Sequence, residues 1–323
     1  MKKIDLGRTN SVLANVGVLA GIVMSSTVTD GNVAWAQGEE FSTGVIEAND
    51  LTFHYLEAGE GPIVLALHGF PDHARSFRHQ LTALAESGYR VIAPYMRGYA
   101  PTEIPEGGYF GLSALAEDVV ALTEALSDEP VVLMGHDWGA AAAHAAAAAA
   151  PEKFSKLITM AVPYGTFRPS LVSNPEQQRR SWYMFFFQLP AADTAVRMND
   201  FAFIERLWQD WSPGWDLPAE ELASIKATFA RPGVLTAALR YYRDAFNPPV
   251  NATQSAGPAY PQIKVPTLYI HGRDDGCIGV EVAVGMEQFF DNGLQKVIVD
   301  GAGHFVHQER PDEVNRAILG FLE

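Results

Sequence analysis

Val131-Val132-Leu133-Met134-Gly135-His136-Asp137-Trp138-Gly139-Ala140 passes from four apolar residues through a Gly-x-Asp-x-Gly turn into an alanine-rich run. A buried strand that turns this sharply into a helix lifts one side chain to the top of a sheet. Glycines relieve crowding around such a turn, and small residues after it let the helix approach closely. The side chain raised here is Asp137, a carboxylate that needs no proton removed before it attacks. Attack on carbon gives an alkyl ester of the protein. Standing just before a helix over 138–150, the same residue is equally suited to capping that helix. The run 140–150 is alanine throughout except for His144, which favours helix strongly.

On both sides of this turn, strand-like and helix-like segments alternate from about residue 44. Short runs rich in Val, Ile and Leu occupy 51–56, 63–67, 90–93, 131–134 and 157–161, and again 267–270 and 296–299. Amphipathic stretches fill 76–86, 112–126 and 311–322. Continuous apolar strands separated by helices predict an α/β fold, its sheet mostly parallel and covered by helices on both faces. The middle differs. Residues 166–255 contain no convincing strand but hold Trp182, Trp208, Trp211 and Trp215, with prolines punctuating four or five helical stretches. This reads as an all-helical insertion between two parts of one core, 37–165 and 256–323.

Composition narrows the function. The chain has 323 residues, 48% of them hydrophobic, and a net charge of −15, which on average repels nucleic acid and anionic membrane surfaces. The single cysteine, Cys277, excludes an internal disulfide or a cysteine-built metal cage. No Gly-x-Gly-x-x-Gly follows a first strand, and no His-Glu-x-x-His or EF-hand string occurs, so neither cofactor nor metal is expected. Lys2, Lys3 and Arg8 precede an uncharged stretch with an apolar run at 12–24, and Ala34-Trp35-Ala36 follows. That layout predicts a secretory signal peptide over 1–36 and an exported protein, periplasmic or secreted; the alternative is an N-terminal extension on a cytoplasmic one. The apolar run is too short for stable membrane insertion. The sequence carries no signal for oligomeric state.

Three further strings carry chemistry. Leu65-Ala66-Leu67-His68-Gly69-Phe70-Pro71 ends a strand in His-Gly-x-Pro, where the N–H of Phe70 can join that of Trp138 as an oxyanion hole. A tight strand exit is the plainer reading. Val299-Asp300-Gly301-Ala302-Gly303-His304-Phe305 sets His304 in a glycine-rich loop, the place for a general base. His54, His79, His144 and His307 are assigned to surface or hydrogen-bonded core positions. Tyr269-Ile270-His271-Gly272-Arg273-Asp274-Asp275-Gly276 ends another strand with two carboxylates, one of which orients the imidazole. The order nucleophile, acid, histidine is that of α/β-hydrolases.

Taken together, His68-Gly69-Phe70-Pro71, Gly135-His136-Asp137-Trp138-Gly139 and Gly303-His304-Phe305 resemble the epoxide hydrolase family of α/β-hydrolases, a likeness that runs from Val45 to Leu322. The resemblance implies that the acid stands three residues after Gly272, at Asp275, with Asp274 the alternative. It implies a cap whose two tyrosines donate to the epoxide oxygen. Tyr183-Met184-Phe185-Phe186-Phe187-Gln188 resembles the first tyrosine motif, and Tyr241-Tyr242-Arg243-Asp244 the second, with Tyr242 in the functional position. The partners implied are a small apolar epoxide and water, and the product a vicinal diol. A neutral His304 is then needed as base, so turnover falls as pH drops through its titration. Haloalkane or haloacid dehalogenases share the Asp-His-Asp set and form the rival reading. Phe70 replaces the asparagine common in haloalkane dehalogenases, and Tyr183-Met184 stands where fluoroacetate-type enzymes have His-Trp.

Overall fold

The computed structural model of the chain describes residues 41–247 and 260–323. The segment read as a signal peptide, 1–36, lies outside the described residues, as does the boundary drawn at 255/256. Eight strands among the described residues form one sheet: β1 (Ser42–Ala48), β2 (Leu51–Ala58), β3 (Ile63–Leu67), β4 (Arg90–Pro94), β5 (Val131–His136), β6 (Phe154–Met160), β7 (Thr267–Gly272) and β8 (Leu294–Val299). Their order is β1-β2-β4-β3-β5-β6-β7-β8. β1 and β2 pair antiparallel, as do β2 and β4, and the others run parallel.

Burial explains which strands were legible. β5 and β7 are buried at every residue and β3 at four of five, so they read as unbroken apolar runs. Each buried Val, Leu or Ile side chain there, such as Val64, Leu133 and Ile270, contributes about 1.5–3 kcal/mol of burial. β1 escapes the pattern because it is an edge strand, exposed along most of its length. β6 begins three residues before its apolar run, at Phe154-Ser155-Lys156, where the strand is only partly covered.

Helices α1 (Arg78–Glu86), α2 (Leu112–Leu126), α3 (Trp138–Ala149) and, after the insertion, α10 (Val306–Glu309) and α11 (Pro311–Leu322) flank the sheet. α1 packs with α10 and α11, while α2 packs with α3. The expected start of the first helix at 76 falls on a 3-10 turn, Ala74–Phe77, which precedes α1. Between β6 and β7 lie α4 (Phe167–Ser173), α5 (Pro175–Arg180), α6 (Trp182–Phe186), α7 (Ala192–Trp211), α8 (Ala219–Ala230) and α9 (Val234–Phe246). Among the described residues, six segments stand where pattern suggested four or five. Single residues, Asn174 and Ser181, separate α4, α5 and α6, too short a break for hydrophobic periodicity to register. α7 is itself kinked at 198–201, where Asn199, Asp200 and Phe201 take positive φ.

Candidate active site

Asp137 closes β5 and opens α3 at φ 52°, ψ −119°, a conformation that costs ordinary residues about 1–3 kcal/mol. The elbow persists because its neighbours lack side chains. A Cβ on Gly135 would meet the Gly139 carbonyl oxygen at 2.3 Å, one on Gly139 the Leu67 carbonyl oxygen at 2.0 Å, and one on Gly69 the Cβ of Asp137 at 2.4 Å. The capping alternative is not realised, since the Asp137 side chain bonds no first-turn N–H of α3. Its Oδ1 accepts instead from the Phe70 N–H at 2.7 Å. Trp138 is the first residue of α3, so its N–H is one of the donors a helix leaves unpaired. His68 braces the strand exit: its Nδ1 donates to the Gly69 carbonyl at 3.0 Å and its Nε2 accepts from the Met96 N–H at 3.0 Å. Burial pushes His68 down to about 4, and the ring stays neutral.

His304, in the loop after β8, donates from Nδ1 to Asp275 Oδ2 at 2.9 Å, and its Nε2 lies 3.5 Å from Asp137 Oδ2. Asp275 Oδ1 accepts the N–H groups of Cys277 and Ile278 at 2.7 and 2.8 Å. Asp274 points its exposed side chain elsewhere, so of the two carboxylates it is Asp275 that meets the histidine. Burial opposes charge on His304, but the Asp275 and Asp137 carboxylates outweigh it and raise the imidazole to about 10. Burial likewise pushes Asp275 up, and the adjacent His304 charge more than reverses this, leaving it below the usual carboxylate range.

From the insertion, α6 and α9 bring Tyr183 and Tyr242 together, their rings 5.7 Å apart. Tyr242 also meets Phe70 at 5.3 Å, Phe187 at 5.1 Å and Trp138 at 5.1 Å. Its hydroxyl is buried with the Trp138 side chain as its hydrogen-bonding neighbour, whereas that of Tyr241 donates to the Arg97 carbonyl at 2.8 Å. The Tyr183 hydroxyl lies 3.3 Å from Cys277 Sγ. Burial first, then nearby groups that include the Asp137 charge, hold both Tyr183 and Tyr242 well above the ordinary phenol value, so both stay protonated.

Residues 62–311 match the family model described as the alpha/beta hydrolase fold. Human epoxide hydrolase 4 is 33% identical over 289 residues, spanning 86% of this chain and 77% of the human protein. The chain belongs to the epoxide hydrolase family of α/β-hydrolases. Epoxide hydrolase A of Mycobacterium tuberculosis is 31% identical over 317 residues, covering 86% of this family member and 96% of its own length. A solved structure of Bacillus megaterium epoxide hydrolase in complex with an inhibitor superposes with a TM-score of 0.76 at 28% identity, over 86% of this chain and 99% of that one.

Three residues of this epoxide hydrolase family member escaped the sequence reading. His271 donates from Nε2 to the Ile278 carbonyl at 2.9 Å, lies 3.4 Å from Asp275 Oδ2 and is bonded through Nδ1 to the Tyr269 hydroxyl. His136 donates from Nε2 to the His304 carbonyl at 2.9 Å, and burial pushes it down to about 3. Both stand inside the strings quoted above, at strand ends, which is the signal that was there to find. Trp211 carries no such signal. Its carbonyl accepts from the N–H of both Gly276 and His304 at 3.0 Å, tying α7 to the acid loop and the histidine loop. Asp275, Cys277 and His304 each offer a possible ligand atom within 4.8 Å of the others, yet the Asp275–His304 bond and the Cys277–Tyr183 contact already engage those atoms. A cavity of about 490 Å³ is lined by Arg179, Trp211, Asp274 and Asp275 but not by Asp137 or His304, so the reactive groups converge elsewhere.

Proposed function

We propose that this chain opens a small apolar epoxide with water to a vicinal diol, through an ester on Asp137. The observation that carries the reading is the pair of buried, protonated phenols, Tyr183 and Tyr242, beside a carboxylate that His304 approaches to 3.5 Å. Phenols serve an oxygen leaving group, since they can both hydrogen-bond it and protonate it. A departing halide needs no proton and is served by N–H donors, which is why the dehalogenase reading comes second.

Asp137 attacks one epoxide carbon from the side opposite its C–O bond, and the electrons of that bond pass to oxygen, which takes a phenol proton. The ester carbonyl then lies near the N–H groups of Phe70 and Trp138. A His304 raised to about 10 is an imidazolium at neutral pH, which departs from the expectation of a neutral base in the resting site. The ester resolves this. Alkylation removes the charge of Asp137, one of the two carboxylates that hold the proton, so His304 releases it to the phenolate just formed. Neutral His304, oriented by Asp275, then takes a proton from water as the water adds to the ester carbonyl. Collapse frees the diol and restores the starting charges.

Replacing His304 with Gln and weighing the intact protein after adding a small aryl epoxide tests the scheme. Mass equal to the whole epoxide should accumulate on the Asp137 peptide. No adduct with any epoxide, together with halide release from haloalkanes by the unmodified protein, would transfer the site to dehalogenation.

A further inference from the structure

Asp275 heads a loop whose backbone is clamped from several sides. Its Oδ1 accepts the N–H groups of Cys277 and Ile278 at 2.7 and 2.8 Å. The Gly276 N–H donates to the Trp211 carbonyl at 3.0 Å, and the Gln177 side chain bonds both the Cys277 carbonyl and the Gly279 N–H, at 2.9 and 3.0 Å. Trp211 and Gln177 belong to the insertion, in α7 and α5. The clamp from the sheet is His271 in β7, whose Nε2 lies 2.9 Å from the Ile278 carbonyl and 3.4 Å from Asp275 Oδ2. His304 Nδ1 bonds that same Oδ2 at 2.9 Å, so two imidazoles flank one oxygen.

We infer that His271 is a positioning residue: through the Ile278 carbonyl it holds the acid loop so that Asp275 keeps Oδ2 on His304 while the ester on Asp137 is hydrolysed. The inference rests on the epoxide reading above. Hydrolysis is the step that depends most on Asp275, because His304 becomes an imidazolium as it takes a proton from the attacking water. An acid held in place stabilises that cation and keeps the imidazole directed at the water. His271 acts through Asp275, and its own hydrogen stays on Nε2 throughout.

The partners of the ring fix it in one state. A carbonyl can only accept, so Nε2 carries the hydrogen, and Nδ1 then accepts from the Tyr269 hydroxyl. His271 and Tyr269 are both fully buried. Burial pushes His271 below its ordinary value against the pull of the Asp275 charge, and the ring stays neutral. Placing an imidazole and a phenol at the end of a buried strand carries a desolvation cost that leucine would avoid. With both ring nitrogens bonded, the pair forms a satisfied network, which favours one rigid arrangement. The Ile278 residue it holds is the one whose N–H bonds Asp275 Oδ1, so the ring reaches the carboxylate through a single residue.

The test separates the two steps in the full-length chain, in single turnover with a small aryl epoxide, by weighing the ester as it forms and decays. His271→Leu should slow ester hydrolysis about 10- to 100-fold, as a misplacement of about 1 Å can, and change ester formation far less, so that the ester accumulates. His271→Gln, which keeps an N–H donor for Ile278, should recover most of that loss. Tyr269→Phe is milder, leaving the Ile278 bond in place, and should slow the same step about 2- to 10-fold; it decides the matter if His271→Leu does not fold. In an Asp275→Asn background His271→Leu should have little further effect, because the ring acts through the acid. Unchanged hydrolysis in His271→Leu or in Tyr269→Phe overturns the inference. So does an equal loss in both steps, a Gln variant no faster than Leu, or a His271→Leu loss that persists undiminished after Asp275→Asn. A His304→Gln chain that forms no ester with any epoxide overturns the epoxide reading itself, a result distinct from the others.

Discussion

Asp137 sits between two demands, an unfavourable backbone at φ 52° and a carboxylate held by the Phe70 N–H at 2.7 Å. The elbow sets the side chain's direction, and the hydrogen bond sets which oxygen faces His304. At this scale the charge on His304 has a measurable consequence. Its folded value of about 10 stands above the ordinary 6.5, so the folded state binds the proton more tightly than the unfolded chain does. The stabilisation is therefore complete below about pH 6.5 and is lost as pH rises through about 10. Unfolding midpoints measured between these limits should fall more steeply with pH in the unmodified protein than in His304→Gln. Parallel curves would show that the imidazole carries no proton between its two carboxylates. The turn strings pointed to Asp137 and His304 as candidates, and the structure brings their side chains within 3.5 Å. Tyr242 over Tyr241 rested on a motif, and the structure adds the physical distinction that the Tyr241 hydroxyl is engaged by Arg97.

At the scale of elements, the β5–α3 turn depends on backbones that nearly touch. A methyl on Gly139 would favour α3 by up to about 1 kcal/mol, but it would lie 2.0 Å from the Leu67 carbonyl oxygen and 2.6 Å from that of His68. Backbone cannot swing aside as a side chain can, so overpacking wins. Gly139→Ala should destabilise the protein by about 1–3 kcal/mol in urea unfolding. Gly320→Ala supplies the contrast, because Gly320 lies in α11 with open space where its Cβ would be; it should stabilise by about 0.5–1 kcal/mol. If both variants shift the midpoint alike, close packing at the elbow is not what the glycine serves. α9 shows how one helix serves two ends. Tyr241 anchors it to the core through Arg97, itself held by Asp118 through two 2.5 Å bonds, and the adjacent Tyr242 packs against Phe70 and Trp138 beside Asp137. Strong periodicity made α2 and α11 legible to the residue, whereas α4 to α6 were blurred because breaks of one residue leave the apolar spacing nearly unchanged.

For the whole molecule, the net charge of −15 has no bearing on the neutral substrate proposed, and the proposed chemistry depends on local charge at Asp137, His304 and Asp275. Export through the segment 1–36 remains a proposal resting on its basic, apolar and small-residue layout. Sequencing the amino terminus of protein recovered from a periplasmic or culture fraction should begin at Gln37; protein beginning at Met1 in the cytoplasm would reject it. The sequence by itself determined the α/β fold, because β3, β5 and β7 are buried on both faces and carry apolar runs that lack the alternation of a half-exposed strand. It also marked the turns bearing Asp137 and His304, because a sharp strand exit requires glycine nearby, which leaves a local trace. Only the tertiary structure decided which of Asp274 and Asp275 meets the imidazole, that Trp211 joins both loops, and that Cys277 lies against Tyr183. Those facts come from residues about 30 to 95 positions apart in the chain. Their contacts depend on how the helices of the insertion settle against the sheet, and no local spacing records that.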